Sequence, residues 1–222
     1  LPSGAADWIA SSGIPQPPRE YDTLQGNDQA EYSEAAEIIV PLPFDYVKGI
    51  VSIVGSARGN NFRYYRLQYG QGLNPEQWSQ LGEDNYEGVN DGVLQQWDTT
   101  DLSGLYTLQL LVVRTDQQFD MSTVQVTVDN QPPVVSLTTP WPGKIIGIDE
   151  ESIVIQPDVS DDFSVAFVEI WVDDKKFETR TIAPFATRWK IDTLGSHSIH
   201  VRAGDAAGNV TRSEDVPIFV QR

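Results

Sequence analysis

Two stretches of the sequence decide its fold class: WDTTDLSGLYTLQL at residues 97–110 and WKIDTLGSHSIHV at residues 189–201. Each has a tryptophan, then a glycine six or seven residues later, and then a run in which apolar and polar residues alternate. Such alternation is typical of a β-strand with one buried face. The two glycines, Gly104 and Gly195, are 91 residues apart, and the same offset relates three further pairs: Tyr106 and His197, Leu108 and Ile199, Leu110 and Val201. A repeat of this length predicts two tandem copies of one small β-rich module.

Short runs of β-branched and aromatic residues, bounded by Gly, Pro, Asn or Asp, continue this pattern from residue 37 to the end. No stretch in this region sustains an amphipathic helix of three turns. Many short strands with regular turn signals predict an all-β protein built from sandwiches. The predicted strands are Val47–Val54, Phe62–Tyr69, Gly104–Val113, Thr123–Val128, Val134–Leu137, Ser152–Ile155, Val165–Val172, His197–Ala203 and Val216–Val220.

The boundary between the two copies is predicted at Val128–Val134. A strand ends there, the turn dipeptide Asp129-Asn130 follows, and Pro132 and Pro133 cannot continue a sheet ladder. We therefore expect a short, semi-rigid hinge. The prediction is an extended N-terminal tail or linker over residues 1–36, a first sandwich over 37–130 and a second over 131–222.

The composition excludes several classes of function. The net charge is −17, with 18 acidic and 6 basic residues up to Asn130 and 14 acidic and 9 basic residues after it. Such a chain repels phosphate backbones and anionic membranes, so we expect no nucleic-acid partner. The absence of cysteine excludes disulfides, zinc–thiolate sites and thiol nucleophiles. No apolar run reaches transmembrane length, so no membrane insertion is expected. Because the chain begins at Leu1 without methionine, we expect a piece of a longer polypeptide, with any anchor upstream.

Residues 131–222 carry motifs that resemble the bacterial immunoglobulin-like modules of surface and secreted proteins. In order, these are Asn130-Gln131-Pro132-Pro133-Val134, Thr139-Pro140, Val168-Glu169-Ile170-Trp171-Val172-Asp173-Asp174, Ala183-Pro184-Phe185, Trp189, Gly195-Ser196-His197-Ser198-Ile199 and Asp205-Ala206-Ala207-Gly208-Asn209. The resemblance implies an immunoglobulin-like or fibronectin-like sandwich that serves as a spacer or binding module. The first copy resembles a companion module often found just before it, through Gly55-Ser56-Ala57, Phe62–Gly70, Asn74–Trp78 and Leu94–Thr100.

The tail contains a segment similar to one that follows the transpeptidase domain in class A penicillin-binding proteins of some bacteria. Its matching residues are Trp8-Ile9-Ala10, Gly13-Ile14-Pro15-Gln16-Pro17-Pro18 and Tyr21-Asp22. The resemblance implies a parent protein that is a peptidoglycan glycosyltransferase and transpeptidase. The Ser-x-x-Lys and Lys-Thr-Gly motifs of its catalytic domain are absent from this sequence. We therefore expect no enzyme activity, no catalytic residue and no cofactor in this chain.

The titratable residues give no motif that fixes a site. His197 and His200 are three apart on one predicted strand, which puts them on opposite faces, one at a half-buried corner and one on the surface. Loop aspartates are the ligands that calcium prefers, and the candidates are Asp158, Asp161, Asp162 and Asp205. The simpler interpretation is that they form turns, because no Asp-x-Asp-x-Asp loop is present. The expectation is therefore no metal site, and stability that does not depend on metal.

Exposed aromatic residues on a sandwich can stack on sugar rings. Trp97 and Trp189 are predicted to be buried, because they occupy equivalent positions in the repeat. A candidate ligand surface consists of Trp78, Tyr86 and Trp141. The region Gly70–Gly92 reads as one long loop, and long loops often carry function. The alternative for Trp78 is that it folds back and plugs one end of the first sandwich.

Together these observations predict a non-catalytic accessory region, a spacer or binding pair, of an extracytoplasmic cell-wall-synthesis enzyme of the penicillin-binding protein type. Its expected partners are peptidoglycan or cell-envelope proteins, and the chain is expected to be monomeric. Two alternatives remain open. One is a glycan- or calcium-dependent adhesion module of a surface protein, and the other is the C-terminal extension of a secreted hydrolase.

Overall fold

A computed structural model describes residues 35–222, and the predictions for Trp8 and the rest of the tail up to residue 34 lie outside the described residues. The predicted all-β class is confirmed, because the described residues form seventeen strands and one three-residue 3-10 turn, Ile148–Glu150. The strands are β1 (Ala36–Val40), β2 (Tyr46–Val47), β3 (Ile50–Ala57), β4 (Phe62–Gln71), β5 (Ser79–Asn85), β6 (Val89–Asp98), β7 (Gly104–Arg114), β8 (Phe119–Val128), β9 (Val134–Thr139), β10 (Lys144–Gly147), β11 (Ser152–Ser160), β12 (Val165–Val172), β13 (Lys175–Arg180), β14 (Thr187–Lys190), β15 (Gly195–Asp205), β16 (Val210–Arg212) and β17 (Val216–Gln221).

Strands β1 to β8 form the first sandwich from two sheets. One sheet has the order β1-β3-β6, and the other has the order β2-β8-β7-β4-β5. All neighbours are antiparallel except β2 and β8, which are parallel. The side chains between the sheets are almost fully buried and include Ile53, Leu67, Leu108, Leu110 and Val126. Burial of such apolar side chains is the main favourable term in folding.

Strands β9 to β17 form the second sandwich. Its smaller sheet has the order β14-β11-β9, and its larger sheet has the order β10-β17-β15-β12-β13, with β16 paired to β15. The core between them includes Ile146, Ile155, Ile170, Ile199 and Ile218. In the described residues no strand of β1–β8 pairs with a strand of β9–β17. In residues 35–222 there is no helix long and apolar enough to span a bilayer.

The repeat that was read from the sequence has a counterpart in the packing. As predicted, Trp97 and Trp189 are both buried. The ring of Trp97 meets the ring of Tyr106 edge to face at 6.0 Å, and the ring of Trp189 meets that of His197 edge to face at 5.0 Å. The tryptophans and their partners are therefore equivalent in the alignment and in their contacts. The inward-facing residues of β7 and β15 are equivalent too, because Leu108 and Leu110 on β7 and Ile199 and Val201 on β15 are all fully buried.

Two sequence predictions about the first sandwich are wrong. Gly70–Gly92 is not one long loop, because it contains all of β5 and the start of β6. Strand β5 has an SQLGEDN sequence with few β-forming residues, and it forms only because it pairs along the edge of the sheet with β4. Val47–Val54 is not one strand either. It breaks at Gly49, whose φ of +59° lies in a region that glycine adopts without a steric penalty.

Candidate functional site

The junction between the two sandwiches begins with Asn130, whose side chain is bonded into the first sandwich. Its Oδ1 accepts a hydrogen bond from the Gly49 N–H at 2.8 Å, and its Nδ2 donates to the carbonyls of Thr99 at 2.7 Å and Leu102 at 3.1 Å. The preceding N–H, of Asp129, donates to the Val47 carbonyl at 2.9 Å. The side chain of Asn130 thus satisfies three backbone groups from two different loops and holds the first residues of the linker in place.

The second sandwich bonds to the same linker through Asn209. The Asn209 Nδ2 donates to the carbonyl of Asp129 at 2.9 Å, to the carbonyl of Gln131 at 3.4 Å and to Asp205 Oδ2 at 2.8 Å. Asn209 belongs to the turn after β15, in which its N–H donates to Asp205 Oδ1 at 2.8 Å. Gly208 enters this turn with a φ of +82°, which explains glycine at that position. Side-chain hydrogen bonds therefore tie the linker to both sandwiches.

Three carboxylates meet at this junction. Asp129 follows β8, Asp161 follows β11 and Asp205 ends β15, and one oxygen from each lies within 4.8 Å of the others. Asp129 and Asp205 are almost fully buried, whereas Asp161 is half-buried. Burial raises the pKa of Asp129, and the negative charges of Asp205, Asp161 and Asp162 add to this, against one backbone hydrogen bond that lowers it. The site therefore concentrates negative charge in a poorly solvated place.

Each carboxylate of the cluster is held by donors of its own loop. The Gln131 N–H donates to Asp129 Oδ1 at 3.1 Å. The N–H groups of Phe163 and Ser164 donate to Asp161 Oδ1 at 3.0 and 2.8 Å. The second oxygen of Asp129, Oδ2, is buried and has no hydrogen-bond partner. Chemically, an arrangement of three fixed carboxylates can accept a proton or bind a hard cation.

The sequence analysis found two of these three residues. Of its four metal candidates, Asp161 and Asp205 lie in the cluster, and Asp162 is exposed at the edge of a cleft of about 160 Å³ that Asp161 also lines. Asp158 is exposed on β11 and is not part of the cluster. Asp129 was missed, because its position before an asparagine and two prolines was interpreted only as a turn. Its place at the end of the last strand of the first module was the signal that could have identified it.

The three candidate aromatic residues are not grouped in one place, because Trp78 and Tyr86 flank opposite ends of β5 and Trp141 belongs to the second sandwich. Trp78 is half-buried beside a groove whose floor is formed by Thr107, Gln109, Thr123 and Gln125 on the outer face of β7 and β8. It therefore packs on the outside of the sheet rather than plugging the end of the sandwich. Tyr86 is 70% exposed, follows the other end of β5 and contacts the ring of Tyr64 at 5.8 Å. Trp141 is in the second sandwich, 59% exposed, with Lys144 Nζ 5.0 Å from its ring centroid.

The two histidines have separate structural surroundings. His197 Nδ1 lies 2.7 Å from Asp173 Oδ2. Burial raises the pKa of Asp173, but hydrogen bonds from His197 and the Ser198 N–H, together with nearby positive charge, lower it overall. His200 was expected on the surface, and this is wrong, since it is 5% exposed. The cross-strand residue Trp171 stacks on its ring at 5.7 Å and covers it.

His200 leads to a pH prediction. Burial, then the charge of Arg212, lowers the pKa of His200 below its ordinary value of about 6.5, despite the opposing charges of Asp215 and Asp174. The unfolded chain therefore binds this proton more readily than the folded one, and stability is lost as the pH falls below about 6.5. We expect the melting temperature of the second sandwich to fall between pH 7.5 and 5, and to fall less in His200→Gln. Calorimetry at several pH values measures this, and an identical pH slope in the variant would contradict it.

Part of the second sandwich matches a known protein family. A family model described as a bacterial Ig domain matches residues 133–201, which lie in the second sandwich. The search of curated proteins returned no significant match. Among solved structures, the chain is similar to fibronectin(III)-like modules of Clostridium thermocellum CbhA, with 20% identity over 83% of this chain and 93% of that one and a TM-score of 0.46. It is also similar to murine CEACAM1b (10% identity, 79% and 96% coverage, TM-score 0.44) and to a 1.5-MDa bacterial ice-binding adhesin (13% identity, 84% and 66% coverage, TM-score 0.39). The predicted immunoglobulin-like or fibronectin-like sandwich fold is confirmed by the sheet pairings of both sandwiches and by the match of residues 133–201 to the bacterial Ig domain model.

Proposed function

We propose that the chain is a non-catalytic spacer of an extracytoplasmic bacterial protein, in which the junction of the two sandwiches keeps them in a fixed relation. The observation that supports this is the bonding of the linker from both sides. Asn130 holds its start to the first sandwich with three hydrogen bonds, and Asn209 bonds to its carbonyls from the second. A flexible tether needs no such bonds, because Gly- and Ser-rich linkers leave their backbone to water.

Spin-label distance measurements test the spacer function directly. The sequence has no cysteine, so two introduced cysteines are the sole labelling sites. Thr123→Cys on β8 and Thr179→Cys on β13 place one label on each sandwich at exposed strand positions. We expect a single narrow distance distribution between the labels. A broad distribution that spans many conformations would contradict the proposal.

The parent protein that we propose is a cell-wall-synthesis enzyme of the penicillin-binding protein type. This part of the proposal is supported by the resemblance of residues 8–22, and it implies an extracytoplasmic location and peptidoglycan or envelope proteins as neighbours. The spacer is favoured over a glycan-binding module because Trp141 lies in a different sandwich from Trp78 and Tyr86, and no ring contact in residues 35–222 joins any two of the three. A stacking platform for one sugar chain needs aromatic rings that share a surface.

A non-catalytic chain should not react with substrate analogues of the parent. We expect that fluorescent penicillin does not label the purified chain, since the serine of a Ser-x-x-Lys motif is the group that penicillin acylates and the motif is absent. Gel fluorescence after denaturation measures the covalent adduct, with a known transpeptidase as positive control. Stoichiometric labelling of this chain would refute the absence of catalysis.

A further inference from the structure

The three carboxylates at the junction are in an unfavourable state because no counter-ion in the described residues pairs with them. The side chain of Asp129 is 1% exposed, its Oδ2 accepts no hydrogen bond, and Asp161 and Asp205 lie against it. Burial of a carboxylate without a counter-ion is unfavourable, and like charges at this range add to that penalty. A charge of opposite sign at this place would remove both penalties.

No positively charged side chain in the described residues supplies that charge. Lys48 lies near the turn, with Nζ 3.8 Å from where a β-carbon on Gly208 would stand. Within residues 35–222 it forms no ion pair with Asp129, Asp161 or Asp205, although eight other ion pairs are formed elsewhere. Within residues 35–222 the compensating charge is therefore missing, and a bound cation would supply it.

We propose that Asp129, Asp161 and Asp205 form a calcium site that joins the two sandwiches. Asp129 comes from the end of the first sandwich, and the other two come from loops of the second. One bound ion would therefore be coordinated from both sides of the junction. The proposal revises the expectation, drawn from the sequence, that stability is independent of metal.

The ligand set fits calcium better than other common ions. Calcium binds oxygen at about 2.3–2.6 Å, so two ligands of one ion lie no more than about 5.2 Å apart, and the three oxygens, which lie within 4.8 Å of one another, meet that limit. Magnesium requires about 2.0–2.1 Å and a nearly ideal octahedron, which this partly open set does not offer. Zinc prefers nitrogen and sulfur ligands, and the cluster contains neither.

The ligands are held in place before an ion arrives. The hydrogen bonds from Phe163 and Ser164 to Asp161, and from Gln131 to Asp129, engage Oδ1 of each and fix the orientation of the carboxylate. Asp205 is oriented by two bonds from Asn209. Such outer contacts orient metal ligands in established sites. The cleft lined by Asp161 and Asp162 provides a path from solvent. Water molecules would occupy the coordination positions of the ion that the three carboxylates leave open.

Calcium binding is inferred from the cluster together with the buried, unpartnered Oδ2 of Asp129. That calcium stiffens the junction rests on the proposed spacer function, because it requires the two sandwiches to be held in a fixed relation.

The experiment is calcium titration of the whole chain, followed by calorimetric unfolding in chelator, in calcium and in magnesium. With three carboxylates and solvent access we expect a dissociation constant of about 10⁻⁴–10⁻³ M and a rise in melting temperature of about 5–15 °C at 10 mM calcium. Asp129→Asn should abolish both responses. It should also raise the melting temperature in chelator, because it removes the unpaired charge.

Asp158→Asn is the matched control, since it removes the same charge from an exposed position of β11 outside the cluster. It should bind calcium like the unsubstituted chain. If the unsubstituted chain shows no heat of binding and no thermal shift, the proposal is overturned, and Asp129 is protonated instead. Equal responses to magnesium, or loss of binding in Asp158→Asn, would also overturn it. Narrow spin-label distances in chelator would leave the spacer function intact even if calcium failed to bind.

Discussion

Replacement of Trp97 by alanine is expected to lower the free energy of unfolding of the first sandwich by about 3–5 kcal/mol. The side chain is 1% exposed and lies between the two sheets, where its ring contacts Tyr69 at 5.2 Å and Tyr106 at 6.0 Å. Deletion of the indole leaves a cavity that these rigid neighbours cannot fill. The loss is a large share of the stability of a domain of this size. Calorimetry or urea unfolding that resolves the two sandwiches measures it.

Two variants make this prediction specific. Trp97→Phe keeps most of the ring volume and removes the indole N–H, which is buried without a hydrogen-bond partner. The free energy of unfolding should fall much less in Trp97→Phe than in Trp97→Ala. The variant loses some packing, but it also removes a buried donor that has no hydrogen-bond partner. Trp189→Ala should destabilise the second sandwich in the same way, through the loss of its contact with His197. Unchanged stability of Trp97→Ala would refute the assigned core role.

Period-two alternation in the sequence correctly predicts the strands that have one face against a core. Leu108 and Leu110 alternate with polar residues, and the alternation identified β7 because one of its faces is buried against the other sheet. The repeat located its equivalent, β15, for the same reason. Edge strands such as β5 have water on most of their surface, so their sequences carry no comparable pattern.

The candidate site shows a second limit of sequence reasoning. Asp161 and Asp205 were recognised as possible ligands because loop aspartates are common in cation sites. Their grouping with Asp129 depends on how the second sandwich packs on the linker, and local sequence does not encode that arrangement. His200 was misplaced for a related reason, since the stacking of Trp171 from a neighbouring strand buries a residue that alternation alone assigns to the surface.

Replacement of Asn130 by alanine is expected to destabilise the first sandwich by about 2–3 kcal/mol and to loosen the junction. The side chain makes three hydrogen bonds, to the Gly49 N–H and to the carbonyls of Thr99 and Leu102. Each is worth about 0.5–1.5 kcal/mol, and the partners are left unsatisfied when the amide is removed. The spin-label pair at positions 123 and 179 measures the loosening of the junction as a broader distribution of distances between the two labels.

Asn130→Asp separates the two contributions of this side chain. The carboxylate can still accept the Gly49 N–H, but it cannot donate to Thr99 or Leu102, and it adds a negative charge next to Asp129. Its stability in chelator should therefore lie no higher than that of Asn130→Ala, even though one native hydrogen bond is kept. If Asn130→Ala instead loses stability but keeps a narrow distance distribution, the rigidity of the junction comes from Asn209 and the second sandwich. A variant that loses neither would show that the linker bonds do not hold the junction, and the spacer proposal would lose the observation that supports it.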